Sequence, residues 1–303
     1  MIESDELRQK NVAELMAMAL QAKLAGRGDK FSFCSIVNAK SGHCSEDCAF
    51  CVQSAHFKTD IQTYPLKSVD EVIDEAREAE RIGAQRFSIV TSGRGLGKAE
   101  VAKVAGMIAE IKRRVGIPMC ASLGILPRES LALLKEAGLV RYHHNLESSR
   151  EFFPRIATTH TFEERVETIR TAQALGLEVC SGGIIGLGET EADRVSLART
   201  LAELRVDSVP INILMPLPGT PLADTPPLSI REILRAIALF RIILPNVPVR
   251  LAGGREKAMG EFLSMAFMAG ADGMMIGGYL TQGGRLPEED HRLARQVKEL
   301  WAG

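Results

Sequence analysis

Along the 303 residues, short apolar runs rich in β-formers alternate with longer segments of helical period, and this alternation restricts the fold more than any other feature. The strand runs are SFCSIVNA (32–39), RFSIVTS (86–92), PMCASLG (118–124), VRYHHNL (140–146), EVCSGGIIG (178–186), SVPINILM (208–215), PVRLAGG (248–254) and GMMIGGY (273–279). Amphipathic segments lie between them, near 69–82, 98–114, 127–137, 162–175, 190–204, 229–243 and 256–269. In LKSVDEVIDEAREAERIGA the apolar residues recur at three- and four-residue steps, and Gly83 closes the helix. Strands joined in this way pair in parallel through right-handed crossovers. At this length the natural closure is an α/β fold of the (β/α)8 TIM type, with an open doubly wound sheet as the competing architecture. No low-complexity linker or composition break divides the chain. It reads as one domain over 1–303, with a helical N-terminal extension (1–30), a barrel (31–282) and a C-terminal helix (283–303). The proline-rich loop MPLPGTPLADTPPLS after the sixth strand is a candidate lid segment.

A net charge of −1 gives no electrostatic reason to expect a nucleic-acid or membrane partner. The N-terminus lacks the basic and apolar regions of a secretory signal, and no apolar run reaches membrane-spanning length. A cytoplasmic location is therefore expected, where six cysteines point to metal ligation or catalysis sooner than to disulfides. Three of them, Cys44, Cys48 and Cys51, are spaced C-x3-C-x2-C just beyond the first strand, where barrels carry their chemistry. Three thiolates can hold three irons of a [4Fe–4S] cube and leave the fourth open to a small molecule. The alternative is a zinc site completed by His43, His56 or a carboxylate.

With Phe50 before the last cysteine, the triad resembles the signature of the radical S-adenosylmethionine (SAM) superfamily. Further blocks narrow the likeness to the biotin synthase family over nearly the whole chain: GHCSEDCAFCVQSAHFKT, HHNLESS, VCSGGIIGLGET, SVPINILMPLPGTPLAD, VRLAGGRE and FMAGAD. The resemblance implies that the open iron chelates SAM and that an electron passed through the cube cleaves it to methionine and a 5′-deoxyadenosyl radical. That radical takes hydrogens from dethiobiotin, and sulfur enters from an auxiliary iron–sulfur cluster, [2Fe–2S] or larger, deep in the barrel. It also implies an electron donor such as flavodoxin or ferredoxin, and a homodimer.

Biotin synthases resemble one another in holding the auxiliary cluster with three cysteines and an arginine. Cys120, Cys180 and Arg250 fall on three of those positions, but the remaining cysteine position is occupied here by Ser88. Serine ligates iron only as an alkoxide, much less accessible than a thiolate with its reference pKa of about 8.5. The chain has one cysteine left, Cys34, on the first strand. Cys34, Cys120, Cys180 and Arg250 belong to strands one, three, five and seven, and alternate strands build one interior layer of such a barrel. The bland reading of Cys34 is a small buried apolar residue.

The resemblance also implies contacts to the two small molecules. Phe50, Asn145, Glu147 and Arg165 are cofactor candidates, Arg165 for the cofactor carboxylate. His143, Asn145, Asn212 and Thr281 are substrate candidates, Asn212 for a cyclic urea. Glu147 stands where aspartate is usual and His143 where asparagine is common. These departures keep open a sibling radical SAM enzyme of the methylornithine synthase or hydrogenase-maturation kind. A non-catalytic metal-binding regulator is the third reading.

Overall fold

The computed structural model describes Leu7, residues 9–278 and residues 284–302; Thr281 lies outside them. Nine strands form one parallel sheet: β1 (Ser32–Lys40), β2 (Phe87–Thr91), β3 (Met119–Ser122), β4 (Arg141–His143), β5 (Glu178–Cys180), β6 (Gly183–Ile185), β7 (Val209–Ile213), β8 (Val249–Leu251) and β9 (Gly273–Met275). Their order is β5-β4-β3-β2-β1-β9-β8-β7-β6, so the two outermost strands are successive pieces of one run. On one side that run receives His144 N–H at Cys180 O (3.0 Å) and Leu146 N–H at Gly182 O (2.9 Å). On the other, Ser181 N–H donates to Ser208 O (3.0 Å) and Leu214 N–H to Ile185 O (2.9 Å). The ends are thus stitched to both neighbours, and the sheet closes into a (β/α)8 barrel of eight staves, the fifth made of β5 and β6. An open sheet is excluded.

Where the sequence reads one strand over 178–186, the ladder breaks at Ser181 and Gly182. The neighbouring backbones press in at this point. A Cβ on Gly182 would lie 1.9 Å from Pro210 O, and one on Gly183 2.4 Å from Glu147 O. Only glycine tolerates that approach.

Helices α1 (Val12–Arg27), α2 (Val69–Arg81), α3 (Lys98–Arg114), α4 (Arg128–Glu136), α5 (Phe162–Ala174), α6 (Glu191–Glu203), α7 (Ile230–Ile243), α8 (Arg255–Met259), α9 (Leu263–Met268) and α10 (Pro287–Ala302) cover the sheet. The helix expected over 256–269 is divided into α8, a 3-10 turn at Gly260–Phe262 and α9, because Gly260 takes a left-handed φ of 48°. Gly83 terminates α2 as expected, with φ 82°. Capping boxes at Ser68/Glu71, Thr161/Glu164, Thr190/Asp193 and Ser229/Glu232 start α2, α5, α6 and α7. Each fixes the end of a loop leaving the sheet's C-terminal face, the face that carries Cys44 to Cys51. Among the described residues no helix is long and apolar enough to cross a membrane.

The N-terminal extension is tied in through Asp272, which is fully buried. Its carboxylate accepts from Arg27 Nε (2.7 Å) and from Val249 N–H (2.8 Å), and lies 3.3 Å from Arg241 Nη2. Arg241 is itself buried, so removing the acid strands a guanidinium in the core. Asp272→Ala is expected to destabilise the fold by about 3–5 kcal/mol, as read from denaturant unfolding.

Candidate active site

All the residues assigned to the two clusters, the cofactor and the substrate, Thr281 aside, line one cavity of about 300 Å³ inside the barrel, whereas His43 and His56 do not. Cys44, Cys48 and Cys51 sit at its mouth on the loop after β1. Backbone bonds shape this loop: Cys44 N–H to Gln53 O (3.0 Å), Ala55 N–H to Cys44 O (2.7 Å) and Cys51 N–H to Cys48 O (2.9 Å). Asp47 anchors the loop across the cavity by accepting Thr158 N–H (2.8 Å) and Thr159 N–H (3.2 Å). Burial pushes the Cys48 thiol up to about 12 and the Cys51 thiol up to about 11. Such thiols keep their protons until a metal displaces them. All six cysteines are free. His56 is engaged by Ser45 O at 2.9 Å, and among the described residues no three His, Cys, Asp or Glu side chains converge on a single-ion site. Three thiols around an open cavity, Cys44 and Cys48 buried and Cys51 half-buried, suit a cluster held on three ligands.

Deeper in, the strand register arranges the side chains in layers. Ile36 is level with Ser88 and Cys120, and Cys120 is level with Arg141 and Glu178. Cys180 bridges Ser208, Val209 pairs with Val249, and Arg250 is level with Gly273 and Ser32. Advancing two residues at every second stave, as barrel stagger requires, leads from Cys34 to Cys120, Cys180, Arg250 and back to Cys34. These four residues make one interior layer. The layer above it, nearer the mouth, is Ser88, His143, Pro210 and Met275, and the layer below is Arg86, Arg141, Ser208 and Gly273.

The cysteine layer is electrostatically coupled. Burial raises Cys120 to about 12 and also raises Cys180, with arginines opposing the shift in both. Burial works against the charge on Arg250, but facing Cys34 and Cys180 and a hydrogen bond with Cys34 outweigh it and hold the guanidinium above its usual range. Arg250 Nε is buried without a hydrogen-bond partner among the described residues. A buried cation facing thiols and carrying a spare donor fits an anionic thiolate-ligated cluster.

In the layer above, Ser88 Oγ lies 3.4 Å from His143 Nδ1. The two departures from the family pattern are thus in contact. Burial, reinforced by Arg141, Arg250 and Arg86, pushes His143 down to about 3 and keeps it neutral.

On the wall, Glu147 holds a left-handed φ of 67°, unusual for glutamate and a mark of strain kept at a working position. Burial raises its carboxyl, against the opposing pull of Arg165 at 3.8 Å and of Asn145 Nδ2 at 3.4 Å. Arg165 donates to Asn145 O (2.8 Å) and to His160 Nε2 (3.0 Å), and stacks 5.5 Å over Phe153. His160 Nδ1 in turn meets Glu46 at 2.5 Å. Glu46 lies between Cys44 and Cys48 in the chain, so the arginine and the cysteine loop share one network. Asn212 is more occupied than expected: Gly253 N–H donates to its Oδ1 (2.9 Å) and its Nδ2 donates to Gly183 O (3.2 Å). It also borders a second cavity of about 470 Å³, lined by Leu214, Met215 and Leu217 of the loop after β7. That loop abuts the cysteine loop, where a Cβ on Gly219 would lie 2.1 Å from Lys58 O.

The sequence reading missed Glu46, His160, Arg86 and Arg141. Nothing in ATTHTFEE singles out His160. Arg86 and Arg141 did carry a signal: like Arg250, each is an arginine at the start of an apolar strand run.

The chain matches the Radical SAM superfamily over residues 40–201 and the Biotin and Thiamin Synthesis associated domain over residues 210–298. Strands β2 to β6 fall in the first stretch, β8, β9 and all but the first residue of β7 in the second, and all belong to one sheet. It is 49% identical over 292 residues to a biotin synthase of Pelotomaculum thermopropionicum, covering 96% of this chain and 91% of the relative. A biotin synthase of Thermotoga neapolitana is 50% identical over 275 residues, covering 90% and 98%. Among solved structures, methylornithine synthase superposes with a TM-score of 0.79 at 18% identity, covering 99% of this chain and 89% of that one. The FeFe-hydrogenase maturase of Carboxydothermus hydrogenoformans superposes with a TM-score of 0.81 at 17% identity, covering 96% and 72%. These two share the fold.

Proposed function

The chain belongs to the biotin synthase family, and from that premise we propose how its cavity supports the radical SAM conversion of dethiobiotin to biotin. The observation that carries the reading is the vertical order of the cavity: a thiol triad at the mouth, amide and carboxylate groups on the wall, and a thiol–arginine layer beneath. When bound, a [4Fe–4S] cluster on Cys44, Cys48 and Cys51 supplies the electron that cleaves SAM, and an auxiliary cluster on Cys34, Cys120 and Cys180 beside Arg250 supplies sulfur.

The chain's own residues position and shield. Arg165, held through Nε by His160 and through Nη1 by Asn145 O, keeps Nη2 to donate to the carboxylate of SAM. Glu147 and Asn145 stand beside it for the nucleoside, and Phe50 packs next to Cys51. Neutral His143 and Asn212, on staves separated only by β5 and β6, face dethiobiotin from one side of the barrel. The closed interior keeps water from the reactive intermediate. A flavodoxin- or ferredoxin-type donor and a homodimeric assembly complete the proposal.

Anaerobic incubation with SAM, reductant and dethiobiotin, followed by mass analysis, is expected to yield biotin. SAM cleavage without biotin would instead favour a sibling activity.

Asn212→Leu is expected to weaken dethiobiotin binding by about 1–3 kcal/mol, roughly five- to a hundredfold, in a calorimetric titration. It also frees Gly253 N–H and Gly183 O, so some loss of stability should accompany the effect. Unchanged affinity would remove Asn212 from the substrate contacts.

A further inference from the structure

The layer beneath the auxiliary site has no part in the proposed reaction, yet it is strongly charged. Arg86 and Arg141 line the floor of the cavity and lie close enough to Cys120 to oppose the rise of its pKa. Both reach one carboxylate, Glu178, at the N-terminal rim: Arg141 Nη2 at 2.7 Å and Arg86 Nη2 at 3.1 Å. Two guanidiniums thus share a single carboxylate, and Arg250 stands in the layer above. Side-chain exposure grades outward, 6% for Arg141, 22% for Arg86 and 38% for Glu178, so the cluster runs from the cavity to water. Arg86 Nη1 is buried with no hydrogen-bond partner among the described residues, and Arg250 Nε in the same cavity is likewise without one. Two spare guanidinium donors, one in each of two successive layers, form a path for a small anion. Of the remaining members of the floor layer, Ser208 is small, and Gly273 lets Ser32 and the Arg250 side chain approach, since a Cβ there would lie 2.7 Å from Ser32 O and 3.2 Å from Arg250 Cγ.

We propose that this floor is a binding and admission site for inorganic hydrosulfide, through which sulfur reaches the auxiliary site from the end of the barrel opposite the SAM site. The inference rests on the proposed auxiliary site and adds the route of its sulfur. Glu178 is the gate: by holding Arg86 and Arg141 it competes with the incoming anion. A strongly hydrated anion is disfavoured beside guanidiniums buried this deeply, whereas weakly hydrated HS⁻ suits them. Arg86 and Arg141 are positioning residues, since they bind the anion and hold no iron.

The test starts from chain carrying both clusters that has been taken through one turnover. The auxiliary site is then refilled with radiolabelled sulfide and a mixture of ferrous and ferric iron, following absorbance and protein-bound label. Arg86→Gln is expected to raise the half-saturating sulfide concentration about tenfold, the scale of one lost charge-assisted hydrogen bond, and to leave the iron dependence unchanged. Arg86→Lys should recover most of the loss, and Glu178→Gln should lower the half-saturating sulfide concentration below that of the unmutated chain. Perchlorate, a poor iron ligand, should compete with sulfide on the unmutated chain, which decides the matter even if a variant fails to fold. Equal sulfide dependence in Arg86→Gln, or no competition by perchlorate, overturns the proposal. If the unmutated chain makes no biotin, the proposed activity fails; the same contrast is then read on chain stripped of iron, where the port stands or falls by itself.

Discussion

Alanine at Cys44, Cys48 or Cys51 is expected to reduce reductive SAM cleavage to background, measured as 5′-deoxyadenosine released under strict anaerobiosis. The loop is shaped by its backbone, through Cys44 N–H to Gln53 O and Cys51 N–H to Cys48 O, and by the Asp47 carboxylate. None of these uses a thiol, so the variants should fold and keep the cavity. What they lose is one of three ligands to a cluster that needs three, and a cube on two thiolates is lost or cannot chelate the cofactor. Iron analysis should show the triad's iron missing while the iron of the deeper site remains. Cleavage at the unmutated rate in any one variant would exclude the triad as the ligand set.

Much of the fold was legible because the barrel's strands and helices obey their periods independently of one another. LKSVDEVIDEAREAERIGA carries its cap at Ser68, its apolar face and its stop at Gly83, and the helix forms over Val69–Arg81. Two elements differ, and both turn on glycine. At Gly182 the strand breaks because neighbouring carbonyls crowd it, a property of partners that are remote in sequence. At Gly260 the left-handed backbone divides a helix whose apolar period runs on unbroken.

The site was legible where one residue type has one plausible job. Cysteines spaced C-x3-C-x2-C and Arg250 in VRLAGGRE announce themselves, and the cavity gathers them. Roles that depend on who stands opposite were not legible. Asn212 spends hydrogen bonds on Gly183 and Gly253, and only the packed barrel shows that. His160 and Glu46 matter through Arg165, more than a hundred residues from Glu46 in the chain. The contact between Ser88 and His143 is of the same kind, since it joins β2 and β4 across residues 55 apart in the chain.

Those departures bear on the other large effect: Cys34→Ala should lose the auxiliary cluster's iron and spectrum while the triad cluster survives. The register makes Cys34 a member of the layer that holds Cys120, Cys180 and Arg250, whereas Ser88 belongs to the layer above. Cys34 also faces Arg250, which its proximity helps to hold above the usual guanidinium range. Ser88 Oγ instead faces a neutral imidazole. A cluster held by Cys34 in place of a β2 ligand would have all its ligands in the layer next to Arg86 and Arg141, whose positive charge would favour an anionic species. Cys34→Ala should still cleave SAM abortively, since the triad and Arg165 are untouched, but sulfur insertion should fall below detection. Ser88→Ala should keep both clusters and biotin formation, because it removes only a contact to His143. Two intact clusters in Cys34→Ala, counted by iron and sulfide analysis, would return Cys34 to the core and leave the deeper site to Cys120, Cys180 and Arg250 alone.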